Sequence, residues 1–295
     1  MSEGFRSGFV NIFGPPNAGK STLLNALLGE QLAITSHKVQ TTRHRILGIL
    51  NDPKYQIIFS DTPGIIEPKY KLHQKMMLQV KSALEDADLA LLIADVTKSP
   101  EEFAAIVGSL RLKVPAILIL NKTDLIKNPE ELAEKVNAFK AALPDLKVVE
   151  ISALKNQNVS ELISLVLPYL PEAPPYYPDE NLSDRPTRFF VAEIIREQIY
   201  SLYQDEIPYH SAVIIQSFEE KPTLDVIKAE IIVSRETQKM ILLGKGGSGI
   251  KELGIRSRKK IEDFLQKKVH LELFIKVRPK WRDNEAYLRE YGYDS

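Results

Sequence analysis

Eight residues near the start of the chain, Gly14 to Ser21, read GPPNAGKS and match the phosphate-binding pattern GxxxxGK[ST]. They lie between the strand-like run FVNIF and a helical stretch, the context in which this pattern binds phosphate. The glycines let consecutive backbone N–H groups surround a phosphate, and the following helix adds the positive end of its dipole. Lys20 would place its charge against the β- and γ-phosphates of a nucleotide, and Ser21 would offer a hydroxyl to Mg²⁺.

A second motif specifies the base. In LILNKTD, Asn121, Lys122 and Asp124 follow a buried strand, at the end where ligands bind in parallel sheets. The Asp124 carboxylate can accept hydrogen bonds from N1–H and the exocyclic amine of guanine, whereas adenine would leave it buried and unpaired. Ser152 and Ala153, in VVEISALK, end another strand, and the Ala153 N–H is suited to the guanine carbonyl oxygen. The sequence therefore predicts GTP rather than ATP as the nucleotide.

Residues between these motifs complete a site for Mg²⁺ and for the terminal phosphate. The run IIFSDTPG supplies Asp61, which would reach Mg²⁺ through water, and Gly64, whose N–H would contact the γ-phosphate. The polar segment 33–45 is predicted to be a mobile loop that becomes ordered when Thr42, rather than Thr41, binds Mg²⁺. The predicted catalytic residues are Lys20, Thr42 and Gly64, and the predicted magnesium ligands are Ser21, Thr42 and Asp61. The predicted nucleotide contacts are Gly14, Asn17, Ala18, Gly19, Lys20, Ser21, Thr22, Asp61, Gly64, Asn121, Lys122, Asp124, Ser152 and Ala153.

These motifs, in the order GxxxxGKS, DxxG, NKxD and SA, resemble the translation-factor class of GTPases over about the first 170 residues. The chain departs from many signalling GTPases at Ile65, where a glutamine would orient the attacking water and an alkyl side chain cannot. Asn17 resembles the asparagine that helps to hold a potassium ion against the phosphates in related GTPases. The alternative for Asn17 is a residue selected for turn geometry, so K⁺ is an open expectation.

Strand-like and helical segments alternate from residue 9 to residue 170, with strand candidates FVNIF, IIFSD, LALLIADV, PAILIL and VVEIS. This alternation predicts an α/β domain with a mostly parallel sheet covered on both faces. Residues 171–186 contain five prolines and predict a semi-rigid linker. The expected division is a GTPase domain at 1–172, a linker at 173–186 and a smaller α+β domain at 187–295.

The last part of the chain has the element order α, β, β, α, loop, α, β. It begins with a helix candidate from Val191 to Tyr203, and the helices ETQKMILL and SGIKELGIRSRKKIEDFL are separated by the loop GKGG. That order is the order of a type II KH domain, whose GxxG loop clamps about four nucleotides of a single strand. Residues 235–282 carry 14 Lys/Arg and 5 Asp/Glu, which favours RNA as the partner. The predicted RNA-binding residues are Gly244, Lys245, Gly246, Gly247, Ile250, Leu253, Arg256 and Arg258.

The composition excludes several kinds of site. The sequence contains no cysteine, which removes disulfides, thiolate zinc sites and catalytic thiols. It shows no signal peptide and no apolar run long enough to span a bilayer, so a cytoplasmic protein is expected. Trp281, in the basic tail, either lies near RNA or packs in the core.

The GTPase motifs, QTTRHR in the first mobile loop, the proline-rich linker and the terminal KH domain together resemble the bacterial Era family over nearly the whole chain. The resemblance implies GTP, GDP and Mg²⁺ as cofactors, the 3′ end of 16S rRNA as the single-stranded partner, and a role in maturation of the small (30S) ribosomal subunit. It also implies peripheral association with the inner face of the cell membrane. A monomer that does not bind DNA is expected. The alternatives are a tRNA-modifying GTPase, whose family has a reactive cysteine near its end, and a nucleotide-dependent, non-enzymatic interaction module.

Overall fold

The computed structural model describes residues 4–36 and 38–293. Its strands are β1 (Arg6–Phe13), β2 (Ile46–Asp52), β3 (Tyr55–Asp61), β4 (Leu89–Asp95), β5 (Ala116–Asn121), β6 (Lys147–Glu150), β7 (Ala212–Glu219), β8 (Leu224–Val233) and β9 (Lys268–Val277). Its α-helices are α1 (Lys20–Leu28), α2 (Lys71–Glu85), α3 (Pro100–Leu110), α4 (Pro129–Ala142), α5 (Val159–Val166), α6 (Thr187–Leu202), α7 (Ile207–His210), α8 (Glu236–Leu243), α9 (Ser248–Leu265) and α10 (Glu285–Glu290).

The first sheet has the strand order β2-β3-β1-β4-β5-β6. Strands β3, β1, β4, β5 and β6 are parallel, and β2 pairs antiparallel with β3. The predicted α/β fold with a mostly parallel sheet is therefore confirmed. Strand β2 is an addition to the predicted strands, and the two residues Pro53 and Lys54 turn it into β3 as a hairpin.

Burial of apolar side chains holds this sheet between its helices. Every residue of β4 is buried, as expected for a central parallel strand covered on both faces. Phe13, Leu92 and Leu120 form one core cluster with Phe139 of α4, and each is at most 1% exposed. Complete burial of one such side chain contributes about 1.5–3 kcal/mol. The strand ends that carry the motifs are thus fixed by a continuous core.

The proline-rich segment lies along β2 and β3. The N–H groups of Tyr176 and Tyr177 donate to Oε1 of the buried Gln56 at 2.7 and 3.0 Å. Farther along, Ile49 N–H donates to Leu182 O at 2.9 Å, on the edge strand β2. The segment therefore covers a sheet edge whose backbone groups would otherwise be open to another strand.

The second sheet has the order β7-β8-β9, with β7 antiparallel and β9 parallel to β8. Val191 and Ile195 of α6 pack with Ile261 of α9 and with Ile227 of β8 in one buried cluster. Together with α8, these elements follow the predicted order of a type II KH domain. Trp281 is 0% exposed and donates through Nε1–H to His210 O at 3.0 Å, so it packs in the core.

The chain forms two compact units. The first runs up to Glu67 and continues from Met76 to Asp184, and the second contains Pro68–Lys75 and continues from Arg185. Most of the proline-rich segment therefore belongs to the first unit. Over the described residues, none of the helices combines the length and the apolar character that crossing a membrane requires.

Candidate functional site

The phosphate-binding loop joins β1 to α1. Gly14 follows the last residue of β1, and Lys20 and Ser21 are the first two residues of α1. Gly19 precedes the helix with a φ of 102°, and a Cβ atom there would lie 2.1 Å from Nδ2 of Asn121. This close approach requires glycine. The N–H groups at the start of α1 make the turn suitable for binding an anion.

Lys20 folds back over the loop and is only 6% exposed. Its Nζ donates to Gly14 O at 3.1 Å and to Pro15 O at 2.8 Å. Burial lowers the pKa of Lys20 to about 8, and the negative charge of Asp61 opposes this shift. A phosphate placed beside the amine would raise the pKa again, because it favours the charged form.

Three oxygen-bearing side chains from separate segments meet beside the loop. Ser21 Oγ donates to Asp61 Oδ2 at 2.7 Å, Thr42 Oγ1 donates to the same oxygen at 3.0 Å, and the two hydroxyls are 2.8 Å apart. Burial raises the pKa of Asp61, against the opposing effects of Lys20, Ser21 and Thr42. Asp61 Oδ1 is buried and has no hydrogen-bond partner among the described residues. A carboxylate with an unused oxygen beside two hydroxyls is a set of hard donors that fits Mg²⁺.

The predicted guanine-binding residues also come together. Asn121 Nδ2 donates to Ala18 O at 2.9 Å, which joins the end of β5 to the phosphate-binding loop. Ser152 Oγ donates to Asp124 Oδ1 at 2.6 Å and so orients the carboxylate. The Ala153 N–H, which we expect to serve the guanine carbonyl oxygen, donates in this structure to Asn121 Oδ1 at 2.9 Å. This contact places Ala153 beside Asn121 of the NKxD motif, and its role toward guanine stays a prediction.

Asp95, at the end of β4, is a member of the site that the motifs do not identify. Its Oδ2 accepts from Lys122 Nζ at 2.7 Å, and its Oδ1 accepts from Thr97 Oγ1 at 2.7 Å. Although burial alone would raise its pKa, the hydrogen bonds from Lys122 and Thr97 hold the pKa of Asp95 below its ordinary value. Asp95 thus fixes Lys122 of the NKxD motif, and no local pattern in the sequence shows this partnership.

The motif residues surround a cleft of about 840 Å³. Among the predicted residues, the cleft is lined by Asn17, Ala18, Gly19, Lys20, Ser21, Thr22, Thr42, Gly64, Asn121, Lys122 and Asp124. Gly14, Asp61, Ser152 and Ala153 lie behind this lining and bond to its members. Leu125 and Leu154 also line the cleft and are 60% and 72% exposed, which leaves apolar surface beside Asp124.

Ile65 has no group that could orient water. Its N–H donates to Gly14 O at 3.1 Å, and its side chain packs against the core cluster that contains Phe13 and Leu92. The departure from the glutamine-bearing GTPases is therefore structural as well as chemical. Any help in activating water must come from another group.

The GKGG loop joins α8 to α9 in the second unit. Gly244, Gly246 and Gly247 have φ values of 70°, 60° and 82°, a region that other residues rarely adopt. Lys245 is exposed between them. The Tyr203 hydroxyl donates to Leu242 O at 2.9 Å, which holds the chain two residues before the loop. The loop is therefore a fixed turn at the start of a basic helix.

A groove of about 340 Å³ follows the loop between α9 and β9. It is lined by Ile250, Lys251, Gly254, Ile255, Arg258, His270, Leu271 and Leu273. Leu253 corrects the prediction, because its side chain is 0% exposed and packs in the core beneath α9. Arg256 lies outside the groove lining, with its guanidinium 2.6 Å from Glu252. The sequence predicts β9 as a strand but does not show which of its side chains border a groove.

Comparisons with known proteins match two parts of the chain to two different families. Residues 9–122 match the family described as 50S ribosome-binding GTPase, and residues 206–282 match the KH domain family. "GTPase Era" of Geobacter sp. (strain M21) is 45% identical over 298 residues, which cover 100% of both chains. The chloroplastic "GTPase ERA-like" protein of Oryza sativa subsp. japonica is 46% identical over 294 residues, or 98% of this chain and 69% of that protein.

Solved structures resemble the whole chain. A crystal structure of Era in complex with MgGDPNP and nucleotides 1506–1542 of 16S ribosomal RNA has a TM-score of 0.95 and 41% identity, and covers 99% of this chain and 100% of that chain. A variant of Aquifex aeolicus Era bound to GDP and AlF4⁻ has the same TM-score, identity and coverage. With the motif residues assembled in one cleft and full-length relatives above 40% identity, the chain belongs to the Era family of GTPases.

Proposed function

We propose that this GTPase binds the single-stranded 3′ end of 16S rRNA through its KH domain and assists maturation of the 30S ribosomal subunit. The observation that carries the proposal is the presence in one chain of a GTP-type cleft and of a groove beyond the GKGG loop that is lined by Lys251 and Arg258. The RNA is proposed because Era, in the solved complex at 41% identity, binds nucleotides 1506–1542 of that molecule. Residues 1–172 are assigned to GTP, 187–295 to RNA, and 173–186 to the connection.

Within the cleft, we assign the phosphates to the loop from Gly14 to Thr22 and the guanine to Asn121, Lys122 and Asp124. Lys20 is proposed to neutralise the β- and γ-phosphates, and the Gly64 N–H to bind the γ-phosphate. Ser152 is proposed to orient Asp124, in accordance with the 2.6 Å hydrogen bond between them. These roles make hydrolysis depend on positioning and electrostatics.

We assign Mg²⁺ to Ser21, Thr42 and Asp61, whose oxygens already lie within hydrogen-bonding distance of one another. When bound, Mg²⁺ would neutralise charge on the phosphate oxygens. Asp61 would supply the charge that retains the ion, and Thr42 would connect it to the loop predicted at residues 33–45. A solved Era complex that contains MgGDPNP supports the choice of metal.

Asn17 is the residue that we assign to K⁺, an ion that could take the place of an arginine finger at the phosphates. It lines the cleft with a φ of 63°. A cation near the phosphates would stabilise the charge that develops during hydrolysis. Turnover should be higher in potassium than in sodium buffer at equal ionic strength. Equal rates would leave Asn17 with a role in turn geometry alone.

For RNA, we assign the sugar-phosphate chain to Gly244, Lys245, Gly246 and Gly247, and the bases to the groove behind them. Ile250 and Arg258 line this groove, and exposed Arg256 adds positive charge near it. Small residues allow close approach of phosphates, and apolar walls accept unstacked bases. We propose a monomeric, cytoplasmic protein that does not bind DNA, with peripheral association at the cell membrane as a further possibility for experiment.

The test of the proposal compares nucleotide turnover with and without a short RNA that ends in the 16S rRNA 3′ sequence. We expect hydrolysis of GTP and not of ATP, and a response to this RNA but not to a scrambled strand. A non-enzymatic module would give no turnover. A tRNA-modifying GTPase would respond to tRNA instead.

Asp124→Asn tests the base assignment. The substitution replaces an acceptor by a donor, so it should lower kcat/KM for GTP by at least about 100-fold and favour xanthosine triphosphate. Asp145→Asn, at an exposed position of the first unit, is the matched control and should behave as the wild type. Retained GTP preference in the Asp124 variant would contradict the assignment.

A further inference from the structure

A polar network outside the nucleotide cleft holds Arg45, three residues after Thr42. The Arg45 N–H donates to Gln79 Oε1 of α2 at 2.7 Å, and its Nε donates to Ser60 Oγ of β3 at 2.7 Å. The guanidinium also contacts both carboxylate oxygens of Asp86, with Nη2 2.9 Å from Oδ1. Asp86 Oδ1 accepts in turn from Asn11 Nδ2 of β1 at 2.8 Å. Arg45 is therefore hydrogen-bonded directly to α2 and to β3, and it is linked to β1 through Asp86.

One side of the network is withdrawn from water. The Arg45 side chain is 15% exposed and Ser60 and Asn11 are each 0% exposed, whereas the Asp86 side chain is 42% exposed. Two parallel N–H···O contacts on one carboxylate fix the orientation of a guanidinium, which a lysine ammonium cannot reproduce. The contacts therefore define a single position for the backbone at Arg45.

This position is close in sequence to two of the oxygens assigned to Mg²⁺. Arg45 follows Thr42 by three residues, and Ser60 directly precedes Asp61. Three residues of extended chain reach at most about 10 Å, so a fixed Arg45 confines Thr42 to the neighbourhood of Asp61. Thr42 Oγ1 in fact lies 3.0 Å from Asp61 Oδ2.

We propose that Arg45 is a positioning residue for GTP hydrolysis, which holds the chain just after Thr42 so that Thr42 is ready to bind Mg²⁺. Arg45 does not enter the cleft lining and acts through Thr42 and Asp61. The inference rests on the proposed assignment of Thr42 to Mg²⁺. Without the network, a larger part of the segment must be ordered when the metal binds, and that ordering opposes binding.

The experiment measures GTP hydrolysis by the full chain as a function of Mg²⁺ concentration for Arg45→Ala, Arg45→Lys and Asp86→Asn. We expect the half-saturating Mg²⁺ concentration to rise about tenfold in Arg45→Ala, as ordering one more residue would require. In Arg45→Lys the half-saturating Mg²⁺ concentration should rise less than in Arg45→Ala but stay above the wild-type value. Lysine keeps the positive charge but cannot make two parallel hydrogen bonds to the Asp86 carboxylate. Affinity for GDP without Mg²⁺ should remain at the wild-type value in every variant.

Arg6→Ala is the matched control. Arg6 is an arginine of the first unit that also holds distant chain, through a 2.7 Å bond from Nη1 to Leu170 O. Arg6→Ala should lower the melting temperature without altering the Mg²⁺ requirement. The control therefore separates an effect on the position of Thr42 from a general loss of stability. If Arg45→Ala fails to fold, Arg45→Lys and Asp86→Asn still decide the matter. An unchanged Mg²⁺ requirement in the folded variants overturns the proposal.

Thr42→Ala distinguishes this inference from the assignment beneath it. If Thr42→Ala raises the half-saturating Mg²⁺ concentration and the Arg45 and Asp86 variants do not, only the role of Arg45 is wrong. If Thr42→Ala itself has no effect, the assignment of Thr42 to Mg²⁺ is wrong and the inference fails with it.

Discussion

Lys20 is buried against backbone carbonyls, and this burial links phosphate binding to protonation. With a pKa of about 8, the amine is partly deprotonated near that pH in the absence of phosphate. Phosphates raise the pKa, so the fraction of a proton taken up on nucleotide binding should grow as pH rises through 8 and stay high until the raised pKa of the bound amine is approached. Affinity for GTP should therefore fall as pH rises through 8, by up to about tenfold per unit.

Calorimetry in two buffers of different ionisation enthalpy measures this uptake directly. Lys20→Arg is the control, because arginine remains protonated while the guanine titrates as before. In this variant the part of the proton uptake that comes from Lys20 should disappear, even if the variant binds nucleotide more weakly. Equal proton uptake in wild type and variant would show that Lys20 is already fully charged without phosphate.

At the residue scale, the site residues that can be predicted are those that belong to motifs of a few consecutive residues. A phosphate loop and a guanine carboxylate each need a few consecutive residues, so Gly19, Lys20 and Asp124 are visible in the sequence. Asp95 and Lys122 are 27 positions apart, and only the folded sheet brings them together. Arg45 and Asp86 are separated by 41 positions for the same reason.

At the scale of elements, the parallel strands of the first sheet are predictable and the antiparallel edge strand β2 is not. LALLIAD is apolar up to its last residue, Asp95, as expected for a central strand, whereas ILGILND has no strict alternation and depends on its pairing with β3. Leu253 illustrates the same limit in a helix. Ile250 and Leu253 are three residues apart on one side of α9, but only Ile250 reaches the groove.

Tyr203 connects α6 to the end of α8, and we expect this bond to prepare the GKGG loop for RNA. Its hydroxyl donates to Leu242 O, and burial raises its pKa, so it remains a donor at neutral pH. Tyr203→Phe should weaken RNA binding by about two- to tenfold, because one hydrogen bond no longer restrains the loop. GTP turnover without RNA should be unchanged.

RNA affinity by fluorescence anisotropy, with melting temperature measured in parallel, provides the test of Tyr203. Tyr291→Phe removes a hydroxyl from another partly buried tyrosine of the same unit, which packs against Trp281. It should leave RNA affinity at the wild-type value. If the Tyr203 and Tyr291 variants bind RNA equally well, the loop does not depend on the Tyr203 bond.

At the scale of the whole molecule, the net charge is zero, but positive and negative charges are concentrated in different parts of the chain. Residues 235–282 carry an excess of nine positive charges, which the remainder of the chain balances. RNA binding by such a segment releases counterions and weakens steeply with salt. Any comparison between nucleotide states therefore has to be made at one fixed ionic strength.

We expect RNA to bind more tightly when the protein holds a non-hydrolysable GTP analogue than when it holds GDP. A coupling free energy typical of allosteric proteins would change the affinity by about 5- to 150-fold. Because coupling between two binding sites is reciprocal, saturating RNA must favour the analogue over GDP by the same factor. Titrating RNA in each nucleotide state, and each nucleotide with and without RNA, measures this factor twice.

Lys245→Glu should abolish the effect of RNA on nucleotide binding while leaving the analogue-to-GDP preference of the free protein intact. Equal RNA affinity in the two states would mean that the sites act independently, and two unequal factors would mean that RNA also contacts the protein outside the coupled equilibrium.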